Sequence, residues 1–201
     1  MRRIALWVVV LVAALVVGVA VLVRGRGISV HRNPFPLEEQ IAKRTWRYLI
    51  PATARDAVNP APNTAEAIAA GLEHFADHCA ICHANNGSGD TIIGRRVYPQ
   101  SPDMRQSGTQ NLTDGELFYA IEEGIPFTAM PGLAEGTPKG ELESWHLVRF
   151  IRYLPKLTAA EISRMERLNP KSPATEARDR EIDDFLSGKS VAPKKMEHRH
   201  K

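Results

Sequence analysis

Cysteine is nearly absent from this chain: there are two in 201 residues, Cys79 and Cys82. No cysteine lies near the N-terminus, so a lipid-modified N-terminus is excluded, and no second pair exists to complete a cysteine-rich zinc site, which usually has four ligands. Basic side chains are also scarce where the chain is most patterned. Between 59 and 155 there are six (Arg95, Arg96, Arg105, Lys139, Arg149, Arg152) against twelve acidic residues, although the whole chain carries a net charge of +3. Positive charge collects instead in 24–55 and at the C-terminus. No basic stripe interleaved with aromatics occurs, which argues against a nucleic-acid partner. A third absence is of charge and proline from Ile4 to Val23. At the helical rise this run spans about 30 Å, the thickness of a bilayer core.

The two cysteines are placed for chemistry. Cys79-Ala80-Ile81-Cys82-His83 puts two thiols three residues apart with an imidazole directly after the second. Thiols at that spacing can bond to the two vinyl groups of one haem and carry the imidazole beneath the iron. C-x-x-C-H therefore reads as a c-type haem attachment site, with His83 as the proximal iron ligand. A thioredoxin-like redox pair is the other reading of C-x-x-C, but it needs no histidine and follows a strand, whereas a helical pattern leads into this motif. Half of a zinc site is the third.

A second axial ligand is sought in Gly124-Ile125-Pro126-Phe127-Thr128-Ala129-Met130-Pro131-Gly132. The thioether of Met130 is a soft, neutral donor, and Met/His ligation raises the haem potential. Met130 sits on an excursion between two prolines. Met104 and Met165 are rivals without that setting, and methionine commonly fills cores. His146 falls within the last strong helix pattern, and His74 and His78 lie just upstream of the motif, on the wrong side for a distal ligand.

Five segments are expected. Residues 1–23 form a transmembrane anchor or a cleaved signal peptide. Gly18 and Ala20 stand at the small-residue positions of a cleavage site, but Val21-Leu22-Val23 continues the apolar run where a polar region belongs, favouring the anchor. Residues 24–62 read as a Pro-rich tether, with a short helix over 37–50 whose Trp46 and Tyr48 rest at the membrane interface or pack on the domain. Residues 63–155 form the haem domain. Its first helix opens with a capping box at Asn63 and Glu66 and carries Ala67, Ile68, Gly71, Leu72 and Phe75 on one face. Gly71 at mid-helix implies that another helix crosses closely. Thr113 and Glu116 open a further helix that stops at Gly124, and the last strong helix runs over about 140–154 until Pro155. Residues 156–188 form a helical extension, capped by Thr158 and Glu161, that clasps the domain or docks a partner. Residues 189–201 read as a solvated, disordered basic tail, with ligation of a soft metal such as copper by Met196, His198 and His200 the alternative.

Together these residues resemble the class I c-type cytochromes over 63–154: the helix with Gly71 and Phe75, the Cys79–His83 motif, Met130-Pro131, and a last helix with Phe150, Tyr153 and Leu154. The resemblance implies a mostly α fold in which the first and last helices cross with Gly71 at the contact. It also implies one covalent haem c held by Cys79, Cys82 and His83, with Met130 on the other side of the iron. Two departures stand out. Ala84 occupies a position usually held by glycine, and the proline whose carbonyl accepts the proximal imidazole proton is not plainly placed, Pro99 being the nearest. The function implied is single-electron transfer between redox proteins, with no catalysis and no small-molecule substrate. Because c-type haem is attached outside the cytoplasm in bacteria, the domain is expected in the periplasm, tethered to the inner membrane as part of a respiratory chain. Its acidity predicts a partner with a basic docking face. A permanently bound subunit of a larger membrane redox complex is the alternative, and a haem sensor or peroxidase a third.

Overall fold

Short polar side chains set most of the helix starts. Thr64, Thr113, Thr137 and Thr158 each stand in extended backbone and accept a hydrogen bond from the amide three residues on, which satisfies a donor that the first helical turn leaves open. In the computed structural model, which describes residues 2–27, 29–171, 177, 180–182, 184, 186 and 187, the long helices are α1 (Arg2–Arg26), α2 (Pro36–Leu49), α4 (Ala65–His74), α7 (Asp114–Glu123), α8 (Pro138–Tyr153) and α9 (Ala159–Leu168). Single turns α3 (Ala52–Arg55), α5 (Ala80–His83) and α6 (Ser107–Gln110) lie between them, and a π-helical turn, Phe75–Cys79, joins α4 to α5. No strand occurs among the described residues. The capping boxes at Thr113/Glu116 and Thr158/Glu161 form as expected. That at Asn63 does not. The cap is Thr64, whose hydroxyl accepts from Ala67 N at 3.3 Å, because the helix begins one residue later and brings Ala67, not Glu66, within reach.

The core forms where α4 meets α8. A Cβ added at Gly71 would lie 2.2 Å from the carbonyl oxygen of His146 and 2.8 Å from Cβ of Phe150, so only glycine lets the backbones approach this closely. Phe75 and Phe150 then meet with ring centroids 5.1 Å apart, and Leu72, Leu147, Val148, Ile151 and Leu154 close around them, each buried. Phe118 of α7 stacks on Trp145 of α8 at 4.0 Å. Arg152 donates to Asp114 Oδ1 and to the carbonyls of Gln110 and Leu112, tying the start of α7 to the end of α8.

The packed unit extends beyond the expected 63–155 at both ends. Before it, Ile50 and Ala61 are buried, and Asn59 donates to the carbonyl of Trp145 while Arg149 donates to that of Ala61. Thr113 Oγ1 donates to Arg55 O at 2.7 Å, and a Cβ on Gly115 would fall 2.0 Å from Ala54 O. The second half of the expected tether is thus fixed on α7 and α8. Its prolines end α2 and space short turns, and do not extend the chain freely. After it, Met165 of α9 is fully buried and Arg164 pairs with Glu73 of α4 at 2.5 Å, so the first extension helix clasps the domain. Over 172–188 of the expected helical extension, Ala177, Arg180–Ile182, Asp184 and Leu186 are helical and Ser187 lies in a turn. The other positions of that stretch and the tail with Met196, His198 and His200 lie outside the described residues.

Candidate haem site

The attachment motif is delivered by one continuous helical path. Helix α4 passes into the π-helical turn at Phe75, and α5 carries Cys79-Ala80-Ile81-Cys82-His83 to its end. A π turn rotates the residues after it relative to the α-helical face and is frequent at functional sites. Here it lets Phe75 and Ala76 stay in the core, with Cys79 packed against that core and both cysteines half-buried and not joined to each other. The loop after the motif is laced back onto it. Gly89 N donates to His83 O at 2.8 Å, Thr91 Oγ1 to Cys82 O at 3.2 Å, and a Cβ on Gly94 would lie 2.3 Å from Cys82 O.

Ala84 turns the chain out of the helix with φ 60° and ψ 156°. This conformation is essentially reserved for glycine and costs of order 1–3 kcal/mol in other residues. The glycine expected at this position thus has a backbone reason, and alanine keeps the geometry at an energetic cost.

Burial holds the His83 imidazole below its ordinary pKa, so it is neutral at pH 7 with a nitrogen lone pair to donate. Burial, with Cys82 nearby, pushes the Cys79 thiol up to about 12, which keeps it a protonated thiol. His83 Nδ1 is buried without a hydrogen-bond partner, so Pro99 does not accept from it. These features fit a haem c site: a neutral imidazole at a helix end and two unpaired thiols, one adjacent to it and one a turn earlier. Exposed apolar side chains occur within the motif and on the loops that follow: Ile81, Ile92 and Phe127 are 62, 67 and 103 % exposed, and Phe127 holds φ 62°.

Met130 stands on the irregular segment after α7. The loop is clamped at its base: Leu133 N donates to Ile121 O and Ala134 N to Glu122 O, and Gly124, at φ 73°, abuts the backbone of Met130–Gly132 so closely that a Cβ would lie 2.6 Å from Gly132 N. Within it, Ile125 N donates to Met130 O at 3.1 Å and Met130 N to Thr128 Oγ1 at 3.1 Å. The side chain is half-buried. Its rivals are committed elsewhere, since Met104 and Met165 both belong to the core. His146 lends its backbone carbonyl to the Gly71 crossing, and the rings of His74 and His78 meet at a tilt of 52°, centroids 4.8 Å apart, beside Glu143 and Asp77.

A helical domain of this topology, with C-x-x-C-H leaving its first core helix and a final helix crossing that helix at a glycine, has the features of a c-type cytochrome domain. Residues 66–151 match the family model described as cytochrome c oxidase, cbb3-type, subunit III, a match that starts in α4 and ends in α8. No curated protein matches the chain. A cytochrome c domain carries haem c and transfers electrons, and α1 is long and apolar enough to cross a membrane. Sequence reasoning missed the buried Glu116 and its partner Arg47, because nothing local marks a capping-box glutamate as the counter-charge of a residue 69 positions away.

Proposed function

We propose that this chain is a membrane-anchored mono-haem cytochrome that carries single electrons between redox proteins on the periplasmic face of a bacterial inner membrane. The observation that carries the proposal is the C-x-x-C-H turn with its neutral, buried His83 inside a domain that matches a cytochrome family. Haem c supplies a one-electron iron couple when bound. The protein's part is to hold it. The Cys79 and Cys82 thiols would hold it covalently as thioethers, and the His83 imidazole and the Met130 thioether would supply its iron with a nitrogen and a soft sulfur donor, a pair that would raise the potential. The π turn and the Gly71 crossing fix the proximal ligand relative to the core. The acidic surface of 59–155 favours a partner with a basic docking face and an encounter rate that falls with ionic strength.

A second reading, a permanent subunit of a membrane oxidase complex, is favoured by the description of the matching family. Purification in mild detergent separates the two: discrete companion proteins mark a subunit, a lone chain marks a carrier. The main proposal is tested by the absorption spectrum, covalent-haem assay and potentiometric titration of the purified protein. One haem per chain that survives denaturation and acid extraction, with a reversible one-electron step, is expected. Haem that is absent or extractable contradicts it.

A further inference from the structure

Helix α2 has two unlike faces. One is bound to the haem domain. Arg47 donates through Nε and Nη2 to both oxygens of Glu116 at 2.8 and 2.9 Å, and Glu116 is itself only 1 % exposed. Trp46 is half-buried, and Ile50 at the helix end is buried. Tyr98 donates to Glu38 at 2.5 Å. The other face carries Leu37, Ile41 and Tyr48, which at 100° per residue fall within one narrow stripe. They are 68, 56 and 84 % exposed, with the exposed Arg44 at the edge of the stripe.

The place of the helix in the chain, together with its charge, indicates what covers that stripe. Only residues 27–35 separate α1 from α2, and fully extended they reach at most about 30 Å. The segment 24–55 holds seven Lys or Arg against two acidic residues, whereas 59–155 holds six against twelve. An apolar stripe bordered by Arg44, in a helix of low net hydrophobicity that follows Arg24, Arg26 and Arg32 in the chain, is the composition of a helix that lies in a membrane interface. Anionic headgroups attract such a segment, and they repel the acidic domain behind it.

We infer that α2 lies on the anionic lipid surface beside the α1 span and mounts the haem domain at a fixed orientation above the bilayer. The inference rests on the anchor reading of α1. The Arg47–Glu116 pair makes the mount rigid, so the face of the domain offered to partners is set by α2 and does not swing on a loose tether.

Holoprotein of full length, reconstituted in nanodiscs of phosphatidylcholine and phosphatidylglycerol at about three to one, tests this directly. Haem attachment consumes both native cysteines, so single nitroxide labels go on Ile41→Cys, Tyr48→Cys, Val12→Cys in the span and Val58→Cys, a site that is 86 % exposed on the domain. Power saturation then compares collision with oxygen and with an aqueous nickel chelate. The expected oxygen-to-nickel ratio at 41 and 48 is several-fold above that at 58, and it falls toward the value at 58 in phosphatidylcholine alone. Equal ratios at 41, 48 and 58, with 12 still lipid-exposed, overturn the mount and leave the anchor standing. An aqueous signature at 12 overturns the anchor and the mount together. Spin–spin broadening between labels at 41 shows that a second copy covers the stripe, which also overturns it.

Discussion

His83 ends a helical path that is packed along its length, whereas Met130 stands on a loop that meets the rest of the domain mainly at its base. On the histidine side, α4 is held by α8 through Gly71 and by α9 through the Glu73–Arg164 pair. On the methionine side, backbone hydrogen bonds at 133 and 134 and the tight pass at Gly124 carry the load. Packing is thus concentrated on the side that carries the proposed proximal ligand, and the side that carries the proposed distal ligand is held mainly through backbone contacts.

Substitutions that strike the α4–α8 contact break this contrast most severely. Phe150→Ala empties a fully buried site and is expected to cost about 3–5 kcal/mol, and Gly71→Ala, which forces a Cβ against the His146 carbonyl, about 3 kcal/mol. Both should lower the unfolding temperature tracked by far-ultraviolet circular dichroism, and both should reduce the yield of haem-loaded protein. A smaller effect of opposite sign is expected from Ala84→Gly, which removes the strain at φ 60° and should stabilise the protein by about 1 kcal/mol in denaturant titration, with an unchanged visible spectrum.

The smallest effect concerns pH. Burial, with His78 nearby, holds His74 below its ordinary value of 6.5 despite Glu143, Asp77 and Glu135. The unfolded chain therefore binds more protons at that site than the folded one. Its contribution to stability is present in full above 6.5 and is lost as the pH falls toward the folded value. Melting curves taken from about pH 8 to 5 should decline more for the natural protein than for His74→Gln. Parallel declines would show that His74 does not titrate differently on folding.

Much of this was legible in the sequence because it rests on local chemistry. C-x-x-C-H, the threonine caps at 113 and 158 and the glycine stop at 124 each act within a few residues, and Gly71 predicted a close crossing from the cost of glycine inside a helix. What escaped depended on partners far along the chain. The prolines of 24–62 suggested a semi-rigid spacer, yet Asn59 and Ala61 are held by α8, and Arg47 by Glu116. Met165 had only a sparse apolar stripe to mark it, and its burial comes from where α9 folds back. Trp46 packs toward the domain and Tyr48 away from it, a division that periodicity alone does not orient.

Met130 closing the iron that His83 holds is the central claim, and its removal tests that claim most directly. In Met130→Ala the haem should remain covalently attached and the unfolding temperature should stay near that of the natural protein, because the side chain is half-buried outside the core. The oxidised absorption spectrum should lose its six-coordinate low-spin character, and the reduction potential should fall. A variant whose spectrum and potential match those of the natural protein would contradict the assignment and open the question of which group faces His83.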